Sequence, residues 1–305
     1  MSKLHGLIAA PHTPFHEDGQ LNLEPIEKQV GRLSSTGLIG AFVCGTTGEG
    51  LALTLDERRQ VAARWVDAAQ GSGLRIIVHV GAAAVADACE LARHAQSIGA
   101  DAVAALAPCY HRPASIEALV STCQHIAGAA PDLPFYYYHI PSMTQVNLSM
   151  AQFIPAAREA IPSFAGLKYT HDDFMQLQEC LAIARGELDI LHGFDELLLA
   201  GMTFGLRAAT GSTYNFAAPL YLDLMAAFQR QDLVTAAARQ QTSVQLIRLL
   251  ARFGFPAACK AMMELTGIPC GPVRMPLASL QPEQKKLLHE QVESAGLVNW
   301  LSRDV

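Results

Sequence analysis

From the N-terminus to about residue 231, short apolar runs alternate with stretches whose apolar residues recur at helical spacing. The runs are GLIAAPHTPF (6–15), GAFVCG (40–45), RIIVHVG (75–81), DAVAALAP (101–108), PFYYYHIP (134–141), FAGLKYT (164–170), LDILHG (188–193) and LRAATGS (206–212). Near-continuous apolar strands joined by helical crossovers imply a parallel sheet covered on its outer face. Eight such units predict a (β/α)8 barrel, the TIM-barrel form of the α/β class; a doubly wound sheet is the alternative. Thr54 and Glu57 have capping-box spacing at the head of the helical pattern over 54–70, and the pattern over 87–101 stops at Gly99. Gly-containing turns close several helices just before the next strand, as in STGLIGAF, SIGADAVA and TFGLRAAT, a weak internal repeat. After residue 231 the alternation ends, and helical patterns follow at about 233–253, 256–266 and 281–295. The expected organisation is a catalytic barrel over 1–231 and a C-terminal extension of about three helices over 232–305, with no linker between them.

Composition narrows the partner. The chain has 305 residues, 50% of them hydrophobic and 16% charged, which is enough apolar surface for a large core and too much for disorder. Its 22 Lys+Arg against 28 Asp+Glu give a net charge of -6, and the basic residues are scattered. That leaves no footprint for nucleic acid or an anionic membrane, so the expected partner is a small molecule. Seven cysteines without CxxC spacing fit a reducing compartment. With no charged start leading into a long apolar stretch, the expected location is the cytoplasm.

Barrel enzymes assemble their sites at the C-terminal ends of the strands. There the sequence places GTTGEG (45–50), PCYHRP (108–113), YYYHIP (136–141), KYT (168–170), HGFDE (192–196) and GSTYN (211–215). Of six lysines, Lys168 alone lies in a strand pattern; Lys28, Lys260, Lys285 and Lys286 fall on helices and Lys3 on the terminus. Burial of an amine favours its neutral, nucleophilic form, which can add to a ketone and give an electron-withdrawing imine. The structural alternative is an ion pair of Lys168 with Asp172 or Asp173. Tyr138 ends the neighbouring strand, where a phenol can carry a proton beside an imine, though it could also be a core aromatic like Tyr136 or Tyr137. The GTTGEG loop offers consecutive backbone N–H groups suited to a carboxylate. Glu49 in that loop argues against a phosphate, and the GKS/T ending of a nucleotide loop is absent.

In this order and at strand ends, GTTGEG, YYYHIP, GLKYT and GSTYN resemble the N-acetylneuraminate lyase and dihydrodipicolinate synthase family of Schiff-base aldolases. ERRQVA, HVGA, IGAD and GIPCGPVRMPL extend the likeness over nearly the whole chain. The resemblance implies that Lys168 forms the imine and that Tyr138 transfers the proton. It implies that Thr46 and Thr47 hold the pyruvate carboxylate and that Thr170 lies near the hydroxyl that is deprotonated on cleavage. Gly193, Asp195, Glu196 and Ser212 match positions that hold a polyhydroxylated sugar tail. Tyr110 matches a tyrosine contributed across a subunit interface, which implies a homo-oligomer, usually a tetramer. No metal or organic cofactor is implied. FYYYHIP and GSTYN look most like the lyase branch, whose reaction is the reversible cleavage of N-acetylneuraminate to N-acetylmannosamine and pyruvate. Met143 stands where the synthase branch has an arginine for a second carboxylate, and Gln145 where a glycine is usual, placing a bulkier residue near the mouth. A 2-keto-3-deoxy sugar-acid aldolase or a dihydrodipicolinate synthase-like condensing enzyme would share the same core. Two readings of another kind are a non-enzymatic sugar-acid sensor and a metal-dependent aldolase using His79, His139 and His192, although strand alternation turns His139 away from the face that carries Tyr138.

Overall fold

The computed structural model describes residues 3–302. Its strands are β1 (Gly6–Ala9), β2 (Gly40–Val43), β3 (Arg75–His79), β4 (Ala102–Leu106), β5 (Phe135–His139), β6 (Phe164–Tyr169), β7 (Asp189–His192) and β8 (Ala208–Gly211). Each pairs in parallel with the next, and β8 returns to β1, so the sheet closes in sequence order and the doubly wound alternative falls. The helices are α1 (Pro25–Ser35), α2 (Leu55–Ala68), α3 (Val85–Ser97), α4 (Ile116–Gly128), α5 (Pro141–Thr144), α6 (Met150–Ala160), α7 (Phe174–Ala184), α8 (Leu198–Thr203), α9 (Tyr214–Gln229), α10 (Leu233–Arg252), α11 (Phe255–Leu265) and α12 (Pro282–Ser294). The Thr54–Glu57 capping box forms at the head of α2. The apolar runs outlast the strands. The first continues to Phe15, yet β1 stops at Ala9, just before Pro11 and Pro14, which have no N–H to give a ladder.

Strand alternation sorts the side chains into two cores. Ile8, Phe42, Ile77, Tyr136 and Leu191 fill the barrel interior beside small Ala102, Ala104 and Ala208. The other face packs under the helices, as where Tyr137 meets Phe153 with ring centroids 4.8 Å apart. Tyr136 faces inward and donates to Asp189 Oδ2 at 2.9 Å, which satisfies its hydroxyl inside the barrel. His139 and His192 lie on the outer face, His192 with Nε2 3.1 Å from the Leu197 carbonyl, whereas His79 faces in, edge-on to Tyr138. The three imidazoles therefore point to opposite sides of one sheet and cannot converge on a single ion. No helix among the described residues is long and apolar enough to cross a membrane.

Candidate active site

A cavity of about 400 Å³ opens at the C-terminal end of the barrel. Lys168, Tyr138, Thr46, Thr47, Thr170, Gly193, Asp195, Glu196 and Ser212 all line it. Tyr110 stands apart, 81% exposed on the loop after β4 and edge-on to His111.

Lys168 and Tyr138 are register partners on β6 and β5, so their side chains leave the sheet side by side toward the barrel axis. The lysine is 4% exposed, and its Nζ sits 4.0 Å from the centre of the Phe42 ring and 4.1 Å from that of Tyr138. Two aromatic faces can hold a cation there without neutralising it. The ion pair weighed for Lys168 is not made. Asp173 caps α7, accepting from Gln176 N at 2.9 Å, and Asp172 faces His171. Beneath the lysine, His79 accepts from the Leu106 N–H at Nε2 (3.3 Å) and has Nδ1 3.1 Å from the Cys44 carbonyl, which places its proton on Nδ1. Burial first, then the charges of Arg58 and Lys168, drives His79 well below the usual imidazole range, so it remains neutral.

The GTTGEG loop turns immediately after β2. Glu49 N donates to Thr46 O and Gly50 N to Gly45 O, while the backbone N–H groups of Thr46 and Thr47 donate to nothing among the described residues. A Cβ at position 50 would overlap the Cys44 carbonyl, so the closeness of this turn requires glycine. Thr46 Oγ1 lies 3.3 Å from the Tyr138 hydroxyl and Thr47 Oγ1 2.7 Å from Ser212 Oγ, which ties the loop to β5 and β8. Glu49 departs from the sequence expectation of a charge beside the bound anion. It turns away, with Oε1 2.8 Å from Lys260 Nζ and Oε2 accepting from Arg274 N at 2.6 Å.

On the opposite wall, Asp195 is buried, and its Oδ2 accepts from Thr213 N (2.8 Å) and Thr213 Oγ1 (2.6 Å). Burial raises its pKa, opposed by the Thr213 hydrogen bonds and then by Lys168. Glu196 is half-buried and raised by the same desolvation. Gln145 does not narrow the mouth. It caps α5 with φ 57°, the left-handed region that favours glycine, and its amide folds over the Ser142 carbonyl (3.2 Å).

Several walls escaped the sequence reading. Ile247 and Ala251 of α10 and Phe255 and Cys259 of α11 close the cavity from the C-terminal helices. His12 and Thr210 also line it, both buried, with His12 Nε2 and Thr210 Oγ1 unpartnered among the described residues. Thr210 on β8 has the parity of Ser212 just past its end, a signal the sequence did contain.

A closed parallel barrel with a strand-borne lysine, a neighbouring phenol and an amide-rich loop at its C-terminal mouth defines the class, a (β/α)8 barrel of the aldolase type. The chain belongs to the Dihydrodipicolinate synthetase family, whose model matches residues 3–295. It is 40% identical over 285 residues to the N-acetylneuraminate lyase of Mus musculus, covering 92% of this chain and 89% of the mouse protein. Among solved structures it is similar to the N-acetylneuraminate lyase of Proteus mirabilis, with TM-score 0.94, 42% identity, and coverage of 96% of this chain and 99% of that one. The corresponding enzyme of Aliivibrio salmonicida gives TM-score 0.94 and 42% identity, with 97% and 98% covered.

Proposed function

We propose that the chain is a Schiff-base lyase that cleaves N-acetylneuraminate reversibly to N-acetylmannosamine and pyruvate. The observation that carries this reading is the Lys168 amine, buried without a carboxylate partner among the described residues and open to a cavity that also holds Tyr138, Thr46 and Thr47. The names of the relatives supply the substrate. In this reading the substrate carboxylate sits on the Thr46 and Thr47 N–H groups while the Lys168 amine adds to its keto carbon, which loses water and becomes an iminium. Tyr138, with Thr170 and the substrate carboxylate, takes the proton of the C4 hydroxyl, the phenol passing its own proton to that carboxylate as it does so. The C3–C4 bond then breaks and its electrons pass into the iminium, leaving an enamine of pyruvate that is protonated at C3 and hydrolysed. Gly193, Asp195, Glu196 and Ser212 hold the tail.

Three further elements belong to the proposal. Among the described residues, 232–302 form a helical extension to the barrel of 3–231, the enzyme is a cytoplasmic homotetramer, and the exposed Tyr110 enters a partner's site. The test is borohydride reduction in the presence of pyruvate, followed by pyruvate-release assays across a panel of keto-sugar acids. A three-carbon adduct on Lys168 and preference for N-acetylneuraminate are expected. Preference for six-carbon 2-keto-3-deoxy acids would move the assignment to an aldolase of those acids. Glu196→Gln should lower kcat/KM for N-acetylneuraminate by about tenfold, through loss of a charge-assisted hydrogen bond, while leaving the adduct intact.

A further inference from the structure

On the inner wall, Thr170 of the β6 end, Gly193 of the β7 end and Thr210 of β8 stand side by side. Gly193 N donates to Tyr169 O at 2.8 Å, and the β7–β8 pairing of His192 with Ala209, continued by one residue, sets Gly193 against Thr210. Gly193 puts no side chain between the two threonines, and Thr170 Oγ1 occupies the place a Cβ would take there. Thr170 is 7% exposed and Thr210 0%, yet neither Oγ1 has a hydrogen-bond partner among the described residues. A buried hydroxyl is costly to leave unpaired, so a pair of them facing one cavity marks a place where something else supplies the partner.

The proposed reaction, on which this inference rests, says what faces these hydroxyls. In that reading C3 and C4 of the substrate lie between the imine on Lys168 and the tail-binding Asp195 and Glu196, in the cavity that Thr170 and Thr210 also line. Thr170 serves the C4 hydroxyl. We propose that Thr210 is a positioning residue that seats, through its hydroxyl, the water that protonates C3 of the enamine. In that step the enamine double bond gives its electrons to a C3–H bond, the nitrogen lone pair re-forms the iminium, and the water is left as hydroxide. The proton removed from the C4 hydroxyl neutralises that hydroxide, so the net change is transfer of one proton from the C4 oxygen to C3. Tyr138, whose hydroxyl is bound to Thr46 on the carboxylate side, is thereby kept for the C4 proton.

Pyruvate alone isolates the step, because its imine and enamine interconvert by gain and loss of a C3 proton. The experiment incubates enzyme with pyruvate in D2O and follows loss of the methyl signal by NMR, beside borohydride trapping at Lys168. Thr210→Val, which keeps the shape and removes the hydroxyl, should slow exchange at least about tenfold, since a positioned proton carrier contributes typically 10² or more, with trapping unchanged. Thr210→Ser should exchange within about threefold of wild type, and serves with Thr210→Ala if the valine variant does not fold. Exchange by Thr210→Val or Thr210→Ala within about threefold of wild type overturns the proposal, as does equal loss of exchange and trapping, which would mark a packing role. Failure of trapping in the wild-type enzyme would instead sink the Schiff-base reading itself.

Discussion

Lys168 and Lys260 are both buried amines stacked on aromatic rings, and they differ in what else they touch. Lys260, 3% exposed at its side chain, lies over the Phe15 ring at 4.2 Å and binds Glu49 at 2.8 Å and the Pro272 carbonyl at 2.6 Å. Burial draws its pKa below the usual lysine range, and Glu49 opposes the shift. Lys168 has the rings and the burial but no carboxylate among the described residues, and it faces a cavity instead of a carbonyl. Burial alone does not make a lysine reactive. Withholding its counter-ion and giving it an opening does, whereas the same side chain with a full set of partners becomes a rivet between α11 and the GTTGEG loop.

The comparison is broken first at Lys168. Lys168→Met should abolish the pyruvate adduct and lower kcat/KM by at least about a thousandfold, since the covalent route is gone. Its thermal midpoint should not fall, because an unpaired amine is replaced by an apolar chain of similar length. A loss above about 1 kcal/mol, roughly 2–4 °C in Tm, would show that Lys168 also holds the barrel together. Lys260→Met should do the reverse. It leaves Glu49 buried without its cation and should cost about 3–5 kcal/mol in denaturant melts, while the folded fraction still traps pyruvate at Lys168. The pair Glu49→Gln with Lys260→Met should recover most of that loss, and failure to recover would place the damage elsewhere.

The smallest effect sharpens the comparison through His12, which burial and then Lys260 push down to about 3. Burial likewise lowers His139 to about 3 and His192 to about 4. An imidazole whose folded pKa lies below its unfolded value contributes stability that is complete above about 6.5 and is lost as pH falls toward the folded value. Each should therefore remove up to about 1.4 kcal/mol per pH unit below 6.5. His12→Leu should lose stability less steeply than wild type between about pH 6.5 and 5, and parallel slopes would mean that His12 is already charged in the folded protein.

The barrel is legible in the sequence because parallel strands buried on both faces read as unbroken apolar runs, and all eight runs contain a strand. Their ends are less legible, since the apolar signal continues into loops that pack as tightly as the strands. The nine cavity residues follow from strand-end position and family likeness together. Lys260 is different. On a helix it looks like any surface lysine, and its partner lies in a loop more than two hundred positions earlier, a relation that local periodicity does not carry. His12 is lost for a similar reason, as the charge that adds to the effect of its burial is that of Lys260 on α11, far from it in sequence.

That long reach bears on how the enzyme is made. The turn that follows β2 takes its final anchorage from Arg274 N on Glu49, a bond spanning 225 positions, with Arg274 also gripping Glu57 at 2.6 Å and the Gly19 carbonyl at 2.7 Å. A chain leaving the ribosome offers the strand and the turn early and their clamp near the end, and closing so large a loop waits on nearly complete synthesis. A polypeptide halted before residue 260 would expose the lysine of β6 and hold no shaped cradle beside it. Competence arrives late in translation, so incomplete chains are born inert.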